Sequence, residues 1–104
     1  MTLEEFSTLI STLKIPSVYG YYKENQATPY IAYIANEKNQ IHADGVVVYS
    51  EPYIELNIYT KARDLTTEAS VESLLTDNGI AFDVPVLNFD EEQGIHIATY
   101  NFSL

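Results

Sequence analysis

The stretch YIELNIYTKARDLTTEASVESLLTDNGIAF, Tyr53 to Phe82, constrains the fold more than any other part of the chain. Its first residues alternate: Ile54, Leu56 and Ile58 point one way, and Tyr53, Glu55, Asn57 and Tyr59 point the other. Period two with a single apolar row predicts a strand buried on one face and wet on the other. A few residues later the period becomes helical. Val71, Leu74 and Leu75 form the stripe to be buried, with Leu65 and Ala69 at its margin. Asp64, Thr66 or Thr67 can cap the start, while Gly79 offers a left-handed stop and Ile80 the hydrophobic contact that follows one. A half-buried strand feeding an amphipathic helix must cover its apolar face with that helix.

The remaining segments fit around this unit. In TLEEFSTLISTLKIP, Thr2 and Glu5 have the spacing of a capping box, and Leu3, Phe6, Leu9, Ile10 and Leu13 share one helical face until Pro16 stops the continuation. SVYGYY reads as a short strand, KENQATP as a turn, and YIAYIA as a second strand. NEKNQIHADG reads as a polar connection ending in an Asp-Gly turn signal. The extended segment VVVYSEPYIELNIYT follows, with a bend or bulge expected near Pro52, because proline cannot donate to a ladder. IAFDVPVLNFDEEQG passes through a possible short strand into a polar turn, and IHIATYNFSL closes as a clear strand. The order α-β-β-β-α-β, with most connections too short for parallel crossovers, predicts an α+β domain spanning residues 1–104. Its sheet is mostly antiparallel, with two helices packed on one face.

Composition restricts function. The 104 residues contain no cysteine, so disulfides, thiolate metal sites and a Cys nucleophile are out. No apolar run approaches the ~20 residues of a membrane span, and Glu4 and Glu5 stand where a signal peptide is positive. The reading is a protein made and used in the cytoplasm, or in a particle assembled there. Fifteen acidic against five basic side chains give a formal net charge of -10. Nucleic-acid binding needs a basic face, and Lys14, Lys23, Lys38, Lys61 and Arg63 do not supply one, so specific nucleic-acid binding is not expected.

The chemistry-bearing residues form no recognisable constellation. His42, Asp44 and His96 lack the spacing of a metal site, and Asp90, Glu91 and Glu92 lack the spaced oxygens and glycine of a calcium loop. Glu51 and Glu55 carry no sign of the contrasting environments that acid-base pairs need. No nucleophile elbow and no glycine-rich phosphate loop occurs. Neither an enzyme nor a cofactor or metal protein is expected. The compositional excess is nine tyrosines, almost all on expected strands, which suit either a half-wet sheet or a protein-contact surface. Two polar connections, Asn36–Gly45 and Asn88–Gly94, are long for hairpins in so small a domain. They make Asn36, Glu37, Lys38, Asn39, Gln40, His42, Asp44, Asn88, Asp90, Glu91 and Glu92 the candidate protein-interaction residues.

The element order, together with PYIELNIYTKARDLTTEASVESLLTDNGIAFD and the closing GIHIATYNFSL, resembles the tail terminator, or tail-completion, proteins of long-tailed bacteriophages and prophages. The resemblance implies a structural, non-enzymatic role. Such proteins form a ring, commonly of six copies, that caps the tail tube and joins it to the head connector. Implied partners are the chain itself, the tube protein and the connector protein, with no membrane involved. Implied locations are the host cytoplasm during assembly and the head-tail junction of the virion. The ring would also have an acidic bore that passes DNA without binding it, with Glu37, Asp44, Asp90, Glu91 and Glu92 lining or flanking that bore. Other readings are a different head-tail connector component (head-closure or minor capsid), or a small acidic binding module or inhibitor.

Overall fold

The computed structural model describes residues 1–23, 26–43 and 46–104, with the backbone alone described for 36–43 and 46–51. Two helices and five strands follow in the order α1 (Leu3–Ser11), β1 (Ser17–Tyr19), β2 (Tyr30–Ala43), β3 (Val46–Thr60), α2 (Leu65–Asp77), β4 (Val86–Asp90) and β5 (Ile95–Ser103). The fold is α+β, as the periodicities predict.

Local chemistry starts both helices where expected and stops α2 at Gly79, whereas α1 ends at Ser11, before Leu13 and Pro16. The Thr2 hydroxyl accepts from the Glu5 N–H and the Glu5 carboxylate accepts from the Thr2 N–H, completing the capping box. At α2, Asp64 is the cap: its Oδ1 accepts from the N–H groups of Thr66 and Thr67, and its Oδ2 from the Thr67 hydroxyl. The other end closes with Gly79 at φ 71°, Gly79 N–H bonded to Thr76 O, and Ile80 N–H bonded to Leu75 O. That pair of bonds is the Schellman arrangement, and it turns Ile80 back into the core.

The sheet order is β1-β2-β3-β5-β4. Neighbours are antiparallel except β1 and β2, which run parallel with Val18 opposite Ala32. This differs from the short-connection expectation. Gly20, at φ 89°, donates to Tyr33 O and Ile31 donates to Pro16 O, so three residues of β1 are held alongside β2 without a helical crossover.

One cluster ties both layers together. Phe6 and Ile10 of α1 and Val71 and Leu75 of α2 meet Ile31, Tyr33, Ile54, Leu56, Ile58, Ala98, Tyr100 and Phe102 of the sheet. Both helices therefore cover the face to which Ile54, Leu56 and Ile58 belong, as their alternation requires. Phe6 packs edge-on to Tyr33 with centroids 5.5 Å apart, and the Tyr33 hydroxyl donates to Ser7 Oγ at 2.7 Å. The stripe of α2 is shifted from the expected one: Thr67 and Glu68 are buried, Leu74 is half-buried, and Leu65 is exposed. The second helix thus leans its N-terminal half towards β5 and β4 rather than centring Leu74 on the sheet.

The largest departure lies in the middle of the chain. Asn36–Ala43, expected as a loop, continues β2, pairing Glu37 with Tyr53, Lys38 with Pro52, Asn39 with Glu51, Gln40 with Ser50 and His42 with Val47. Asn36–Ala43 is mostly polar and shows no apolar period from which a strand could be read. The bulge expected near Pro52 falls on the opposing strand, where Asn36 is the extra residue between the Ala35–Ile54 and Glu37–Tyr53 pairs. Pro52 itself sits where β5 has just ended, its carbonyl accepting from Leu104 N–H at 3.0 Å. The short strand expected in Ile80–Gly94 is β4, Val86–Asp90.

Candidate functional site

The register sets the two expected contact segments far apart. Along β3, the end at Val46 belongs to the two-stranded arm, while the end at Thr60 lies opposite His96, beside the β4–β5 turn. The arm and the turn therefore stand at opposite ends of the molecule's longest extent, 50 Å. Asn36, Glu37, Lys38, Asn39, Gln40 and His42 all belong to the arm's β2 strand, with their side chains outside the described structure, and Asp44 and Gly45 lie outside the described residues.

The second segment is also more ordered than a long loop. Asn88 and Asp90 belong to β4, opposite Ile97 and Ile95, and the turn proper reduces to Glu91–Gly94. Asp90 Oδ1 accepts from the N–H groups of Glu92 and Gln93, and Gly94 N–H, at φ 65°, bonds to Asp90 O at 2.8 Å. The Asp90 carboxylate is thus engaged in closing the turn, and Glu91 and Glu92 project into solvent. Among the described residues no three His, Asp or Glu side chains gather as a metal site. His96 packs its ring against Phe89 at 4.7 Å.

The tyrosines divide between two roles. Tyr33 and Tyr100 are core residues. On the uncovered face, Tyr30 stacks on Tyr59 with centroids 4.5 Å apart and planes 12° from parallel, and Tyr22 meets Tyr30 edge-on at 5.5 Å. Desolvation, and then the neighbouring phenols, raises the Tyr59 hydroxyl above its ordinary value, and Tyr30 is raised the same way. These hydroxyls stay neutral at physiological pH. A half-wet aromatic face of this kind supports contact without contributing charge.

Sequence reading missed the surface around β4. This edge strand and its approach expose Val84, Val86, Leu87 and Phe89, at 87, 55, 47 and 52%. Leu87 and Phe89 lie opposite Ala98 and His96, hence on the helix side, but neither helix reaches far enough to cover them. Between β4 and the start of α2 is a small cavity of about 30 Å³, lined by Leu87, His96, Arg63 and Glu68 among others. Glu68 is only 5% exposed and pairs with Arg63 Nε at 3.4 Å. The signal in the sequence was faint: Val84, Val86, Leu87 and Phe89 follow neither period, because this strand buries neither face.

No described helix is long and apolar enough to cross a membrane. No family model matches the chain, and a search of curated proteins finds no match.

Proposed function

We propose that the chain is a structural assembly protein of the tail terminator kind, forming a ring that caps a phage tail tube and joins it to the head connector. The observation that carries this reading is the placement of a two-stranded arm and an acidic turn at opposite ends of a molecule 50 Å long. An adaptor between two partners needs two separate contact regions held rigidly apart. A body with both helices on one face of the sheet gives that rigidity. With the long axis parallel to the bore, Asp90, Glu91 and Glu92 form an acidic band at one end, which repels a passing phosphate backbone. The working location is the head-tail junction, reached from the host cytoplasm.

Electron microscopy of particles assembled without this reading frame tests the proposal. Overlong or ragged tails, separate from filled heads, are expected. Normal tails on attached heads would overturn it.

A second reading is favoured by the bare apolar edge of β4 and the acidic surface around it: a free-standing acidic module that binds one partner. Sedimentation velocity separates the two. A ring-former self-associates on a tube end, whereas a module gives a defined complex with another protein and no closed ring.

A further inference from the structure

The sheet has two open edges, β1 on one side and β4 on the other, and among the described residues neither has a strand partner on its outer side. Such an edge templates pairing with another chain unless lysines, a covering helix or inward charges blunt it. Both edges carry exposed large side chains: Tyr19 on β1, and Val86, Leu87 and Phe89 on β4. Their flanks differ in sign. From Ser11 to Lys23 the chain has Lys14 and Lys23 and no acidic residue, whereas from Ile80 to Gly94 it has Asp83, Asp90, Glu91 and Glu92 and no basic one. Both lysines are exposed, and Arg63, beside β4, is engaged by Glu68.

The ladders also bring the two edges to one level. Ser17, Ile31, Ile58, Ala98 and Leu87 form one row across the five strands, and Val18, Ala32, Asn57, Thr99 and Val86 form the next. Strands β1 and β4 run in opposite directions, because β1 is parallel to β2 and every later pair is antiparallel. A second copy set beside the first in the same orientation therefore continues the sheet. Its β1 lies antiparallel to this β4, with Val18 against Val86 and Ser17 against Leu87. Its Lys14 then falls at the Asp90–Glu92 end and its Lys23 at the Asp83 end.

We propose that the free edge of β4 is the docking site for β1 of a second copy, in a head-to-tail pairing. Ladder hydrogen bonds and the exposed edge side chains supply the contact, and the opposite charges select the unlike edges. Like edges repel. Two antiparallel β4 strands set Asp83 against Asp90–Glu92, and two antiparallel β1 strands set Lys14 against Lys23. Each added copy leaves one edge of either kind free, so the contact propagates, and it closes into a ring where the rotation between copies allows. As the joint of such a ring it rests on the assembly reading, whereas as a contact between two copies it is measured without tail or head.

The chain has no cysteine, so introduced thiols report the contact without background. Val18→Cys and Val86→Cys are placed in separate full-length chains, mixed in concentrated solution and oxidised. Ser17→Cys with Leu87→Cys repeats the test on the neighbouring row, should either first variant lose its native circular dichroism spectrum. Opposed residues of an antiparallel ladder lie about 4.5 or about 5.5 Å apart at Cα, so both combinations are within disulfide reach. The expected result is a mixed disulfide dimer about tenfold more abundant than the dimer of either chain alone, with the excess falling as salt is raised. Lys14→Glu in the Val18→Cys chain should remove that excess, and Glu91→Lys with Glu92→Lys in the Val86→Cys chain should restore it. Like-chain dimers in equal yield, or an excess indifferent to Lys14→Glu, would overturn the proposal. No mixed dimer from either row would overturn it in favour of a segment of another protein on β4. Mixed dimers alongside normal tails in the deletion micrographs would sink the assembly reading alone, and ragged tails without mixed dimers would sink this contact alone.

Discussion

The Tyr100 phenol donates to Glu72 Oε2 at 2.9 Å, linking the middle of β5 to the outer half of α2 across the core. The Tyr100 ring is wholly buried, so the hydroxyl is the polar end of a core residue. Tyr100→Phe keeps the ring and deletes the bond. A loss of about 1–2 kcal/mol in urea unfolding is expected, because Glu72 is half-exposed and can rehydrate. Burial, and then the bond to Glu72, holds this hydroxyl far above its ordinary value. A raised folded value means stability that is present below the unfolded value near 10 and lost as pH rises past it. The advantage of the native protein over Tyr100→Phe should therefore shrink above about pH 10.

Core and margin separate cleanly at two leucine-sized positions. Ile58 is 1% exposed and belongs to the central cluster, whereas Leu74 is half-buried beside a surface groove between the helices. Ile58→Ala should cost about 2–5 kcal/mol, and Leu74→Ala clearly less. Thermal unfolding of the two variants side by side checks the ranking.

The cap of α2 makes stability respond to acid. Hydrogen bonds from Thr67, side chain first, hold the Asp64 carboxyl below its ordinary range. A depressed folded value means the unfolded chain binds more protons, so the contribution is present above the unfolded value near 4 and lost as pH falls through the folded one. Asp64→Asn still accepts from the same N–H groups but cannot titrate. Denaturation midpoints of the two proteins should differ most at neutral pH and converge as pH falls through the lowered carboxyl value of the folded state.

Gly79 is needed for its backbone alone. A methyl group there would meet nothing within 4 Å, yet the residue sits at φ 71°. Gly79→Ala should cost about 1 kcal/mol through conformation, with no change in packing. Equilibrium unfolding of the variant, with a near-ultraviolet spectrum matching that of the native protein, checks both halves of the statement.

The arm can be removed without touching the core. Replacing Asn39–Glu51 by Asn-Gly between the paired residues Lys38 and Pro52 closes a two-residue hairpin above the buried row that begins at Ile54. The expected product folds with a denaturation midpoint close to the parent's but does not complement assembly. Full complementation would show that the arm has no contact role.

Features governed by neighbours in sequence were legible. Thr2 with Glu5, Asp64 with Thr67, and Gly79 with Ile80 act within a turn of one another, and Ile54, Leu56 and Ile58 state their own face. What escaped depends on partners distant in sequence or on none. The burial of Glu68 follows from where β4 and β5 lie, and the Tyr100–Glu72 bond spans 28 positions. The arm escaped because Asn36–Ala43 satisfies its backbone across a ribbon whose side chains follow no apolar period. For the candidate contact residues, sequence indicated two segments but not that they occupy opposite ends, since that follows from the register of β3.

The position of β5 has a consequence for biosynthesis. It lies between β3 and β4, although both precede it in the chain. A nascent polypeptide that has emerged only as far as Gly94 thus presents two raw edges at once, and each waits for the same nine residues, Ile95–Ser103. The hairpin of β2 and β3 and the two helices can form early, but closure of the sheet is deferred until Ile95–Ser103 has emerged. Crowded polysomes making this protein are therefore at greatest risk of cross-pairing just before Ile95–Ser103 becomes available.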